Sequence, residues 1–136
     1  MSTLQDFLNS NPVEGLTDEV TVSSRFKDAE GNLLKFTIKA MSGPEFEDIR
    51  KRSTTVLKKG KVDFNAQRFN TTCVINNTVE PSFKDAESIR KLGCSTPEEY
   101  LNKVLLPGEI ATLAEHIQKL SGFETDMEEL VDEAKN

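Results

Sequence analysis

Apolar residues recur at three- and four-residue steps from Pro107 to Phe123, PGEIATLAEHIQKLSGF, and this stretch is the clearest helix in the chain. Ile110, Leu113, Ala114, Ile117 and Leu120 make one stripe, while Thr112, Glu115 and Lys119 make a solvated face. Pro107 suits a first helical position, and Gly122 stands where a left-handed residue closes a helix, with Phe123 placed to pack back on Ile117. Earlier the period is two. Val20, Val22 and Phe26 alternate with Thr21, Ser23 and Arg25, and Leu34, Phe36, Ile38 and Ala40 alternate with Lys35, Thr37 and Lys39. The intervening Asp28-Ala29-Glu30-Gly31-Asn32 has turn chemistry, so a β-hairpin with one apolar face is expected.

The remaining segments read as helices gathered around these two elements. Residues 2–9 form a short amphipathic piece with Leu4, Phe7 and Leu8 on one side, and Pro12 and Gly15 break the chain after it. Ser42 with Glu45, and Met41 with Phe46, sign a capped helix start; its stripe is Phe46, Ile49, Ser53, Val56 and Leu57, and Gly60 ends it. Residues 61–82 are ambiguous. Phe64, Phe69 and Cys73 fit a helix over 64–77 with Asp63 as its cap, yet TTCVINNTV is rich in β-branched residues and reads equally as a strand. A short helix carries Ile89 and Leu92 up to Gly93, and Thr96-Pro97-Glu98-Glu99 opens another with Tyr100, Leu101, Val104 and Leu105. Thr125 and Glu128 repeat the capping signature for a last helix, in which acids back Met127, Leu130, Val131 and Ala134. The expected fold is a mostly helical α+β domain: an N-terminal β-hairpin packed against about five helices. Residues 1–16 are expected to be a flexible or loosely docked segment, 17–123 the α+β body, and 124–136 an acidic amphipathic helix.

A chain of 136 residues buries about 65–70% of its unfolded surface as one domain. Eight Phe concentrate that burial in few positions. The formal net charge is −6, of which residues 124–136 alone carry −5, so the body is close to neutral. A near-neutral body lacks the clustered basic field of a nucleic-acid footprint, and the run Lys58, Lys59, Lys61 reads as ordinary solvation. Cys73 and Cys94 have no metal or redox spacing, and with no export signal visible both are expected to be reduced thiols. No apolar stretch approaches the roughly 18 residues that would span a membrane.

Candidate chemistry is thin. His116, the single histidine, follows Glu115 on the helix surface and has no evident partner as a general base. A dyad of His116 with Cys73 or Cys94 has no local signature, the terminal acids lack a calcium-loop pattern, and no glycine pattern cradles phosphate. The expectation is therefore a binding protein with no enzyme activity, cofactor or metal. Two features point to partners: the hairpin edges, which can extend a sheet by strand addition, and the acidic last helix. The candidate contacts on that helix are Met127, Glu128, Leu130, Val131 and Asp132. Its bland alternative is a solvated helix docked on the core.

The order of landmarks resembles a known family. SSRFKDAEGNLLKFTIKAMS, KVLLPGEIATLAEHIQKLSGF and the terminal DMEELVDEAKN, above all RFKD…GN and LLPGE, are similar to XkdN-like tail assembly chaperones of contractile-tailed phages and prophages of Gram-positive bacteria. The resemblance implies a protein of the host bacterial cytoplasm that binds the tape measure protein. There it would keep that client soluble before tail tube polymerisation, and it would be absent from the mature virion. Partners implied are the tape measure protein, the tail tube protein, a frameshifted long form of the chain itself, and other copies in a homo-oligomer. The frameshift expectation comes chiefly from that resemblance; Ala134-Lys135-Asn136 can be encoded as GCA AAA AAC, a run that permits a backward slip of one nucleotide, and the alternative is a polar C-terminus with no such role. The competing expectation is a structural tail subunit, a tube or adaptor component using the hairpin for ring contacts. Abundance in purified particles separates the two.

Overall fold

The computed structural model describes residues 2–123. Helix α1 (Thr3–Ser10) starts where the Ser2 hydroxyl accepts the Gln5 N–H at 3.0 Å, and its Leu4, Phe7 and Leu8 stay exposed. Strands β1 (Thr17–Val20) and β2 (Phe36–Lys39) then pair antiparallel, with Thr17 opposite Lys39 and Val20 opposite Phe36. The expected hairpin is present, but its arms are unequal. The ladder resumes at Phe26 and Leu34, so residues 21–25 stand opposite Lys35 alone and loop outward. At the tip the Asp28 carboxylate accepts the N–H groups of Glu30 and Asn32 at 2.8 and 2.9 Å, and Gly31 takes a φ of 86°.

Helix α2 (Gly43–Arg52) opens with the predicted capping box between Ser42 and Glu45. It ends earlier than the stripe suggested. The Ser53 and Thr54 hydroxyls donate to the carbonyls of Ile49 and Arg50, both at 2.8 Å, and the chain turns into strand β3 (Thr54–Val56). Strand β4 (Val62–Phe64) pairs with β3 antiparallel, after a loop in which Lys59 and Gly60 both have positive φ. Val56 is therefore 74% exposed rather than core. Three consecutive β-branched residues, Thr54-Thr55-Val56, favour a pleated ribbon over another helical turn.

The ambiguous region contains both readings in succession. Helix α3 (Ala66–Asn77) is capped by Asn65, not Asp63, and runs straight into strand β5 (Thr78–Glu80). That strand adds to the other side of β2, giving a three-stranded antiparallel sheet in the order β1-β2-β5. Helices α4 (Ala86–Lys91), α5 (Pro97–Val104) and α6 (Pro107–Leu120) follow, the first two with Asp85 and Thr96 as side-chain caps.

Helix α6 packs chiefly on α3 and also touches β1 and β2, so it lies between the helices and the sheet. Its Leu113, Ala114 and Ile117 are fully buried together with Ile38, Cys73, Val74 and Leu101. The α+β class and the buried stripe of α6 thus stand as expected. Its C-terminus closes as a Schellman motif. Gly122 (φ 100°) donates to Lys119 O at 3.0 Å and Phe123 donates to Gln118 O at 2.9 Å. The Phe123 ring lies against Phe46, with 5.1 Å between centroids, the contact its position beyond the glycine had suggested for Ile117.

Candidate functional site

Two arrangements stand out on the surface. The first is a polar clip. The outward loop of residues 21–25 carries Arg25 to the start of α6, where its Nε and Nη2 donate to the two carboxylate oxygens of Glu109 at 3.0 and 2.7 Å. The same Nη2 donates to Val104 O at 2.9 Å, and the guanidinium lies 4.6 Å from the Phe26 ring centroid. Glu109 also accepts the Leu106 N–H at 2.7 Å, closing the first turn of α6 where Leu106 has no side chain to cap it. The Arg25 hydrogen bonds above all, joined by that N–H, outweigh the opposing effect of burial and hold the Glu109 carboxyl down at about 2. The clip joins RFKD to LLPGE, two of the three stretches most specific to the family resemblance, the third being the terminal GF…DM…LVDE.KN.

The second arrangement is an aromatic groove of about 490 Å³. Four rings form a continuous wall: Phe123 on Phe46 at 5.1 Å, Phe46 on Phe69 at 5.9 Å, and Phe69 on Phe64 at 5.7 Å. They come from α2, β4, α3 and the residue just past α6, so the groove exists only because the β3–β4 ribbon folds beside α3. Val62, Thr54 and Arg50 complete its far side. Phe64 and Phe123 remain about half exposed, at 50% and 51%. Sequence reasoning assigned Phe46, Phe64 and Phe69 to core stripes and so missed the groove. One signal was legible: positions 50–62 hold Arg50, Lys51, Arg52, Lys58, Lys59 and Lys61 and no acid.

The residues weighed as candidate chemistry are not assembled. Cys73 is buried with its Sγ 3.9 Å from Met41 Sδ, and burial pushes its thiol up to about 12. Cys94 is buried against Leu92 O, and His116 is half-buried on α6; among the described residues neither thiol is bonded to it. Among the described residues no three His, Cys, Asp or Glu side chains are grouped to hold a metal, and no helix is long and apolar enough to cross a membrane. Met127, Glu128, Leu130, Val131 and Asp132 lie outside the described residues. The hairpin edge offered for strand addition is altered too: β2 is flanked on both sides, and the sheet's outer strands are β1 and β5.

A small α+β scaffold with a clipped hairpin and an aromatic groove has surfaces suited to binding another chain. The chain belongs to the family of phage XkdN-like tail assembly chaperone proteins, which it matches over residues 4–135. It is 31% identical to the phage-like element PBSX protein XkdN of Bacillus subtilis (strain 168), across 98% of this chain and 93% of that protein. It is 33% identical to the uncharacterized protein YqbN of the same strain, with the same coverage. The crystal structure of YqbN superposes with a TM-score of 0.63 at 31% identity, covering 78% of this chain and 84% of that one. The family is one of phage tail assembly chaperones rather than of enzymes.

Proposed function

We propose that this chain binds a phage tape measure protein and keeps it soluble in the host bacterial cytoplasm until tail tube subunits enclose it. Membership of the tail assembly chaperone family is the observation that carries this reading. Physical considerations support it. A long client that is apolar along one side aggregates when unenclosed, and a small partner with a net charge of −6 opposes that by repulsion. In this reading the body, residues 17–123, presents the acidic segment 124–136, and Met127, Leu130 and Val131 meet the client while Glu128 and Asp132 keep the complex dispersed. Each site binds modestly and coverage comes from many copies, so that the tail tube protein displaces them. No catalytic step, cofactor or metal enters this function. Self-association through β1 or β5, and a frameshifted long form that continues past Asn136, belong to the same proposal.

Co-expression with the neighbouring long tail gene tests it. The client is expected in the soluble fraction with this chain and in the pellet without it, and Leu130→Asp is expected to return it to the pellet while the chaperone stays folded. A client equally soluble alone refutes the proposal. Stoichiometric presence of this chain in purified particles replaces it with a structural tail subunit.

A further inference from the structure

The groove walled by Phe46, Phe64, Phe69 and Phe123 is an apolar cleft left open at the point where the described chain ends. We propose that its occupant is this chain's own segment 124–136, seated in cis, so that the client-free protein shields its own apolar strip.

Three observations select this occupant. The first is position. Phe123 is both the last described residue and one wall of the groove, so the thirteen residues that follow are tethered at the groove itself. As a helix they span about 20 Å and need no linker to reach. The second is pattern. Met127, Leu130 and Val131 fall at i, i+3 and i+4, one apolar stripe just beyond Phe123, which already rests on Phe46. The third is charge. Segment 124–136 carries six acids and one base, while the charged residue lining the groove is Arg50 and the loop that leads into its Val62 holds Lys58, Lys59 and Lys61. Arg50 and Arg52 are paired with Glu47 and Asp48 on α2. Lys51 also acts on Glu47, and the ribbon loop's Lys58, Lys59 and Lys61 make no salt bridge among the described residues. An apolar strip flanked by acids matches an apolar cleft beside a loop of three lysines, and opposite charge steers the docking.

Seating the strip removes the exposed faces of Phe64 and Val62 from water along with Met127, Leu130 and Val131, which opposes self-aggregation of the free chaperone. The proposal needs no client and stands or falls separately from the tape measure reading.

Paramagnetic broadening on the full chain tests it. A nitroxide is attached at Glu133→Cys, the buried Cys73 and Cys94 staying unlabelled in the native fold, and the amide resonances of the same isotope-labelled chain are read. Amides of Val62, Phe64, Ala66 and Asn70 are expected to broaden at least twofold more than those of Ile89 and Leu101 on the far helices. Phe64→Glu in the labelled chain is expected to abolish the selective broadening. Should that variant unfold, the exposed triple change Lys58→Glu, Lys59→Glu, Lys61→Glu serves instead and is expected to reduce the broadening at least twofold. No selective broadening, or broadening that persists unchanged in the folded variant, overturns the proposal. So does broadening seen only when an isotope-labelled chain without nitroxide is mixed with an unlabelled chain bearing it, which assigns the groove to a second copy.

Discussion

Replacing Glu109 by Gln keeps the shape of the polar clip and removes its charge. In the native fold the carboxyl is held at about 2 against an ordinary value of 4.5, a difference that corresponds to a ceiling of about 3 kcal/mol of stability near neutral pH. The true figure is smaller. The Arg25 side chain is 48% exposed, and solvent screening around it brings the expected cost to about 1–2 kcal/mol. For a domain of this size that lowers Tm by about 4–8 °C. The pH dependence gives the sharper test. Because the folded value lies below the unfolded one, the stabilisation is complete above the unfolded value of 4.5 and is lost as pH falls from there through about 2. Chemical unfolding of parent and Glu109→Gln at pH 7 and at pH 2.5 should therefore show a gap at the first and only about a quarter of it at the second. A gap below about 0.5 kcal/mol at pH 7, the level of an ordinary surface change, or one of equal size at both pH values, refutes the reasoning.

Ile117→Asp places a charge in a fully buried site and should abolish the cooperative unfolding transition, whereas Val56→Asp on the exposed ribbon should change stability by less than about 0.5 kcal/mol. Calorimetry of the pair separates the observed ribbon from a continued helix, in which Val56 would have been core. Gly122→Ala forces a side chain into a φ of 100° and should cost about 1 kcal/mol or more, read as a lowered urea midpoint. Cys73, buried and with its thiol pushed up to about 12, should resist thiol reagents at pH 8 in native buffer and react on addition of denaturant.

The stripe of α6, the capping box of α2 and the turn chemistry at Asp28 were legible because each is a local pattern with a local cause. The β3–β4 ribbon was not. A stripe drawn through Val56 and Leu57 obeys helical spacing, and only the competition of the Ser53 and Thr54 hydroxyls for helix carbonyls decides against it. Residues 64–80 defeated a single assignment because the sequence holds a helix and a strand back to back, and the strand is defined by its partner β2, about forty positions earlier. The groove shares that cause. Its rings come from α2, β4, α3 and the chain beyond α6, and although spacing paired Phe64 with Phe69, none announces that Phe123 meets Phe46 or Phe46 meets Phe69. Arg25 and Glu109 each read as an ordinary surface charge, and only the unequal hairpin arms bring them together.

The span of the clip bears on how the protein is made. Arg25 and Glu109 are 84 residues apart, and closing so long a loop costs on the order of 4 kcal/mol in chain entropy before any contact forms. The hairpin, α2 and α3 are synthesised well before α6, yet Ile38, Cys73 and Val74 are covered only when Leu113 and Ile117 arrive. A nascent chain that has not yet reached α6 exposes that surface to its neighbours in the polysome, so folding of the core waits on α6. Until Ile117 has been added, this chain has the same exposure problem as the client it is proposed to protect.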